Sequence, residues 1–481
     1  MVAFAIMSKP TIILATSNGV GMGHLVRATA IAIELKKYAN PIIVSMAGGI
    51  AEIPDYLGIR VEYIPGRDRG WMPRENWDDY LRDRLMALVD ETGATVMSFD
   101  GVVPYPGVIA AKFSHPKLAL VWVRRGLWQK KPQRFVLGMQ SKMMDHIVEP
   151  GDMARAYDFG PTAQRNDATL TSSVSLFRES EALSREEARK VLGLDLDRPA
   201  VLVQLGTGDS DVNEKLTAAL SGLIGWKDLQ VILTKQPFDK DGKSLAPEGL
   251  DIRVVRHFPL ARVLHAFDAG VSATGYNGFH ENLPACLPTV FISNIRGTDD
   301  QEARAQWGND FGFAIRGNQA DLHDITAAVK KLQDPQVRAK LATKCKELPA
   351  TTGGAEIAKI LFDLATREEP KRPSWFTYNR LKVQEHINRG KRHLVYMGLR
   401  RLGLLYRMIN PHIVVNVIKQ DPPVWGSQTI AKELHPLIKG DARFEHLITG
   451  ASDAYIARRR EIAEKAYGHR TEIINRKKSQ S

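Results

Sequence analysis

Cysteine is nearly absent: the chain has two, Cys286 and Cys345, among 481 residues. That argues against a disulfide framework and for a reducing compartment. Long apolar runs are missing too, none approaching the roughly 18 to 20 residues that cross a bilayer as a helix. The first ten residues, MVAFAIMSKP, lack the basic stretch and the apolar length of a secretory signal. The expected location is therefore cytoplasmic, with contact at the inner face of the membrane left open. Low-complexity tracts and internal repeats are also lacking, which disfavours a solenoid or a disordered scaffold.

What is present is a basic excess, and it is uneven. The net charge is +12, yet residues 371–481 hold 22 Lys/Arg against 9 Asp/Glu, a net of +13, leaving −1 for residues 1–370. A partner of opposite charge is to be sought at that tail. Within it, residues 389–409 place Val395, Leu399, Leu402, Tyr406 and Ile409 on one helical stripe and Arg392, His393, Arg400 and Arg407 on the opposite arc. Such a pattern suits an anionic membrane surface, and equally a helix packed on the protein body. No nucleic-acid motif accompanies the charge, so nucleic acid is not an expected partner.

Hydrophobic residues make up 44% of the chain, enough for two cores at this length. From 11 to 150, apolar runs at 11–17, 41–47, 61–65, 94–99, 118–123 and 146–149 alternate with helical patterns. That alternation predicts a parallel, doubly wound α/β sheet. Periodicity then fades through 151–180. It resumes with runs near 201–205, 230–234, 251–257, 270–273 and 289–292. The expected organisation is a Rossmann-like domain at 1–150, a linker at 151–180, a second Rossmann-like domain at 181–370 and a basic helical tail at 371–481. Ligands of such sheets bind outside the carboxyl ends of the strands.

Three loops carry the chemistry. In residues 272–301 a strand end leads through Thr274, Gly275, Asn277 and Gly278 into a helix. Glycine lets backbone approach an anion, and a helix start aims free N–H groups at it. Glu281, one turn on, is placed to accept hydrogen bonds from sugar hydroxyls. Asp300 and Gln301, past the next strand, could reach a second sugar. In the first domain, Gly21, Gly23, His24 and Arg27 follow the first strand. The dinucleotide fingerprint fails here, because His24 stands where it needs glycine and no acid ends the second strand. A histidine at a helix start is held neutral by the dipole and able to take a proton, although a lone histidine is often satisfied by local backbone. Asp100 ends another strand and could equally cap a turn. The third loop, Gly206-Thr207-Gly208, is by itself an ordinary strand end.

At these positions the chain resembles the GT-B glycosyltransferases, both plant UDP-glycosyltransferases and the bacterial peptidoglycan N-acetylglucosaminyltransferase. Gly275-Tyr276-Asn277-Gly278, Glu281, Cys286-Leu287-Pro288 and Asp300-Gln301 stand at the positions of the plant signature in order, while Ser272 to Thr274 replace its opening histidine and Gly278 replaces its serine. The resemblance implies a GT-B fold and a nucleotide-sugar donor, UDP-linked, on the second domain. It implies that Gly21, Gly23 and Arg27 belong to an acceptor-side loop, that His24 is the base toward an acceptor hydroxyl and that Asp100 pairs with it. It further implies that Gly206, Thr207 and Gly208 contact the donor diphosphate, and that His257 and Phe258 face its base. Apart from the resemblance, Trp122, Arg124, Arg125 and Trp128, at the end of the next strand, could line an acceptor pocket and could equally be structural. The implied reaction is inverting and metal-independent transfer of a hexose to a glycan or lipid-linked acceptor, the nucleotide sugar being a substrate and no cofactor being expected. Three Asp-x-Asp triplets, beginning at Asp195, Asp209 and Asp239, read as caps rather than metal ligands. Rival readings keep the fold and change the role: a nucleotide-sugar hydrolase or epimerase, or a non-catalytic sugar-nucleotide-binding subunit.

Overall fold

The computed structural model describes residues 9–17, 22–46, 56–66, 74–115, 117–131, 137–206, 211–234 and 247–367, with Asn379 and Val383. The basic tail, including 389–409, lies outside the described residues.

In the first sheet, the strands β1 (Thr11–Thr16), β2 (Asn40–Ser45), β3 (Arg60–Tyr63), β4 (Val96–Asp100), β5 (Ala119–Val123), β6 (His146–Glu149) and β7 (Thr169–Leu170) take the order β3-β2-β1-β4-β5-β6-β7, all parallel. Helices α1 (Gly23–Leu35), α2 (Arg74–Thr92), α3 (Pro106–Ser114) and α4 (Leu137–Met143) connect them. In the second, β8 (Ala200–Gln204), β9 (Gln230–Leu233), β10 (Asp251–Val254), β11 (Ala269–Ala273), β12 (Thr289–Ile292) and β13 (Ile315–Gly317) lie in the order β10-β9-β8-β11-β12-β13. The helices of this half are α5 (Arg185–Leu192), α6 (Asp211–Ser221), α7 (Tyr276–Asn282), α8 (Gln301–Asp310), α9 (Leu322–Lys330), α10 (Pro335–Cys345) and α11 (Gly353–Thr366).

Both sheets are buried on two faces, as parallel sheets must be, so their strands read as nearly unbroken apolar runs. Alternate residues still part to opposite sides. Ile12 and Leu14 pack with Leu25, Ala28 and Ile31 of α1 and with Ile357 and Leu361 of α11, whereas Ile13 and Ala15 pack with Trp77, Leu81 and Phe99. The segment expected as a linker is built into the structure at both ends. Thr169 and Leu170 extend the first sheet beside Val148 and Glu149, and Val174 bridges Thr352 ahead of α11. The chain crosses back there: α11 lies on α1 of the first half. Gly353 permits the approach, since a Cβ would stand 2.0 Å from the Ser172 carbonyl oxygen.

In each sheet the strand order reverses once, between β1 and β4 and between β8 and β11. Crevices for ligands open at such reversals, beyond the carboxyl ends. Thr16 is in register with Asp100 at the first, and Gln204 with Ser272 at the second. The loops bearing His24, Asp100, Gly206 and Gly275 are thus the ones that line the two switch points.

Candidate functional site

His24 is the second residue of α1, and β4 delivers Asp100 opposite it. His24 Nδ1 lies 2.7 Å from Asp100 Oδ1. Burial would raise the Asp100 carboxyl, but the Arg27 charge and the His24 hydrogen bond outweigh it and hold the group down at about 2. A carboxylate only accepts, so Nδ1 carries the proton and the lone pair sits on Nε2. The histidine is held below its ordinary value chiefly by burial, against the pull of Asp100. The Arg27 and Arg125 charges act in the same direction as burial. Gly23, just before it, accepts a hydrogen bond at its carbonyl from Asn277 Nδ2 of α7 at 2.9 Å, so the two loops meet across the crevice. Gly21 lies outside the described residues.

On the second half, Gly275 is the N-cap of α7 with no side-chain cap bond, and its hydrogen-side space is open. Neither Gly275 nor Gly278 has a positive φ, so openness, not backbone strain, is what glycine gives there. Gly206 does, at 82°, ending β8 beside Asn294. Thr207 and Gly208 lie outside the described residues. Glu281 is partly exposed as a residue, yet its Oε1 is sealed and has no partner among the described residues. Burial pushes its carboxyl up to about 8, opposed by a hydrogen bond from the Leu176 backbone. A buried acceptor short of a donor is costly. His257 is half-buried and lowered by burial and then by Arg262. Phe258 reaches the first half, its ring edge-on to Tyr56 at 6.2 Å.

Several expected contacts are turned inward instead. Arg124 is fully buried and pairs with Glu149 at 3.2 Å and Asp167 at 2.8 Å, so it holds strand ends together and does not line an acceptor pocket. Trp122 and Trp128 are buried as well. The Thr274 hydroxyl is buried against Ser293 at 3.3 Å and its N–H donates to the Ile292 carbonyl at 3.3 Å, so both are engaged inside the fold. Gln301 accepts from the Asn294 N–H at 2.9 Å and donates to Asp299 at 3.3 Å, so both ends of its amide are committed to the loop, not to a second sugar. Asp300 caps α8 through the Ala303 N–H at 3.1 Å. Arg27, expected on the acceptor side, is buried and gives Nε to Asp100 Oδ2 at 2.6 Å and Nη2 to Oδ1.

A network whose pairings the sequence does not reveal joins the two halves. Arg304 of α8, fully buried, donates to Asp152 at 2.7 Å and to Asp299 at 2.7 Å. Arg125 pairs with the same Asp299 oxygen at 2.5 Å. Burial would raise Asp299, but the Arg125 and Arg304 charges bring it to about 2. Trp128 and Asp299 form an antiparallel bridge, with Asp300 N donating to the Leu127 carbonyl at 3.0 Å. Tyr276 donates to the Gly151 carbonyl at 2.7 Å and accepts from the Val174 N–H at 3.0 Å. No local signal marks them, since Arg304 lies within α8 and Asp152 and Asp299 lie in loops. Among the described residues no group of three His, Cys, Asp or Glu is placed to hold a metal ion, and no helix is long and apolar enough to cross a membrane.

Two parallel switch-point sheets facing one crevice, with a His–Asp pair on one side and a helix start and carboxylate on the other, define the GT-B architecture. Solved structures agree in fold. A Phytolacca americana UGT2 complexed with UDP-2fluoro-glucose and pterostilbene aligns with TM-score 0.50 at 14% identity, over 79% of this chain and 98% of that one. A putative UDP-N-acetylglucosamine 2-epimerase from Listeria monocytogenes aligns with TM-score 0.53 at 11% identity, over 76% of this chain and 99% of that one. In sequence the chain is similar to the UDP-N-acetylglucosamine--N-acetylmuramyl-(pentapeptide) pyrophosphoryl-undecaprenol N-acetylglucosamine transferase of Cutibacterium acnes, 24% identical over 390 residues, 75% of this chain and 98% of that protein. No family model matches. The chain accordingly has the GT-B fold and, over three quarters of its length, is similar in sequence to a glycosyltransferase.

Proposed function

We propose that the chain transfers a sugar from a UDP-linked donor to an acceptor hydroxyl with inversion, His24 acting as general base. The acceptor oxygen attacks the anomeric carbon, the bond from that carbon to the diphosphate breaks, and the hydroxyl proton passes to His24 Nε2. The observation that carries this reading is the His24–Asp100 pair: an ionised carboxylate holds the tautomer whose lone pair is on Nε2, and it steadies the imidazolium that forms. Glu281 is assigned to the ribose from its place in α7, one turn after the open N-cap Gly275, with the residue still partly exposed. Asp300 faces the sugar in this reading with the carboxylate oxygen that does not cap α8. His257 and Phe258 are assigned to the base.

The Gly206 loop and the start of α7 meet the leaving diphosphate with backbone N–H groups, and this reading calls for no metal. The name of the Cutibacterium relative supports a lipid-linked acceptor, and the basic tail supports an enzyme held at the inner membrane face. Incubation of the protein alone with UDP-sugars tests the reaction class. The proposal expects no turnover until an acceptor is added; free sugar with UDP would make the protein a hydrolase, and an interconverted UDP-sugar an epimerase.

A further inference from the structure

The pair of His24 and Asp100 is in fact a trio. Arg27, three residues after His24 and one helical turn along the same face of α1, is buried beneath them. Its Nε and Nη2 take both oxygens of Asp100 side-on, while Nη2 stands 3.2 Å from His24 Nδ1. The guanidinium is also 5.0 Å from the centre of the Tyr276 ring on α7, and that ring is anchored through its hydroxyl to Gly151 and Val174. Arg27 therefore cannot turn toward an acceptor without abandoning a bidentate buried ion pair.

We propose that Arg27 is a positioning residue of the His24–Asp100 pair: its fork fixes which carboxylate oxygen faces the imidazole and offsets that carboxylate's charge, so that His24 stays the free base in the crevice. This rests on the reading of His24 as base and adds a residue to it. The charge arithmetic gives the reason. An isolated aspartate–histidine pair goes from −1 to neutral as the imidazole takes a proton, so the aspartate favours that step. With Arg27 the trio goes from neutral to +1, and much of that help is cancelled. His24 is a weaker base than in a simple pair, but it is not trapped as imidazolium at neutral pH. Of the groups facing it from the surrounding elements, Asp100 alone favours the imidazolium and the two arginines oppose it. Asp100 comes from β4 and Arg27 from α1, Arg125 from the loop after β5 adds positive charge, and Asn277 of α7 is uncharged.

The test uses the full chain and two variants, Arg27→Met, which keeps the stem and removes the charge, and Arg27→Lys, which keeps the charge and loses the fork. His24 is followed by long-range proton–nitrogen NMR without substrate and assigned by its loss in His24→Gln. Removing a cation this close should raise the His24 midpoint by about one pH unit in Arg27→Met. The lysine variant should shift it less but broaden the tautomer signal. The acid limb of kcat/KM should move with the NMR midpoint, and donor KM should change less than twofold. An unmoved His24 midpoint in whichever variant folds, with only a lower Tm, would overturn the proposal and leave Arg27 as packing. An NMR midpoint that moves while the acid limb stays put upholds the positioning role and instead removes His24 as the base.

Discussion

Glu281 offers a quantitative test of the donor site. Its carboxyl, raised to about 8 by burial, is mostly protonated in the empty protein at neutral pH, at pH 7 about nine-tenths. A ribose that donates two hydroxyl hydrogens to it favours the ionised form. Binding a nucleotide sugar, whose phosphates have no monoester proton to lose near neutrality, should therefore release up to about 0.9 proton at pH 7. The corresponding affinity gain is up to about tenfold per pH unit, or ~1.4 kcal/mol, flattening above pH 8. Calorimetry of UDP-N-acetylglucosamine binding at pH 7, in buffers of different ionisation enthalpy, reads the proton count as a slope. Glu281→Gln keeps an acceptor in place and should bring that slope close to zero, with weaker and pH-independent binding. The linked stability has a definite sign. A folded value raised above the unfolded one favours the fold below about pH 4.5 and loses that contribution as pH rises through about 8, so the variant should gain in Tm relative to wild type across that window. Equal proton release by both proteins would refute the reasoning and take the ribose away from this helix.

Other outcomes follow from the same geometry. His24→Ala should lower turnover by ~10² to 10⁴ with donor affinity nearly intact, measured by steady-state kinetics beside calorimetry; parallel losses would make His24 a binding residue. Arg304→Met takes the arginine from buried Asp152 and leaves Asp299 to Arg125 alone, and should cost roughly 3 to 5 kcal/mol in denaturant unfolding. Gly353→Ala forces α11 away from Ser172 and should destabilise by roughly 1 to 3 kcal/mol, whereas Gly275→Ala, with open space before it, should leave Tm unchanged. Arg392→Glu, Arg400→Glu and Arg407→Glu together should abolish salt-sensitive sedimentation with anionic vesicles, since each cation near such a surface contributes about 1 kcal/mol; equal sedimentation of both proteins would return that stretch to a packing role.

The sheets were legible because buried parallel strands are written as apolar runs, and the eleven expected runs all fall on strands in the structure. Thr169–Leu170 and Ile315–Gly317 were not, being two and three residues long with no run to see. The loops at the switch points were legible from glycine, histidine and acid at strand ends. Side-chain direction was not. Arg124, Thr274 and Gln301 stand at the right places in the chain, but their polar ends are spent on Glu149, Ser293 and Asn294. Arg304 and Asp152 lie 152 positions apart, and no local pattern connects them.

The central claim is acceptor-dependent transfer with inversion at the anomeric carbon. The most direct measurement incubates wild-type protein with UDP-N-acetylglucosamine and a polyprenyl-diphosphate-linked sugar, follows UDP release and product mass, and reads the new linkage by NMR. The account predicts UDP release only with acceptor present, one added sugar per acceptor, and a β-linkage from the α-linked donor. A retained α-linkage, or sugar released to water at the same rate without acceptor, would contradict it.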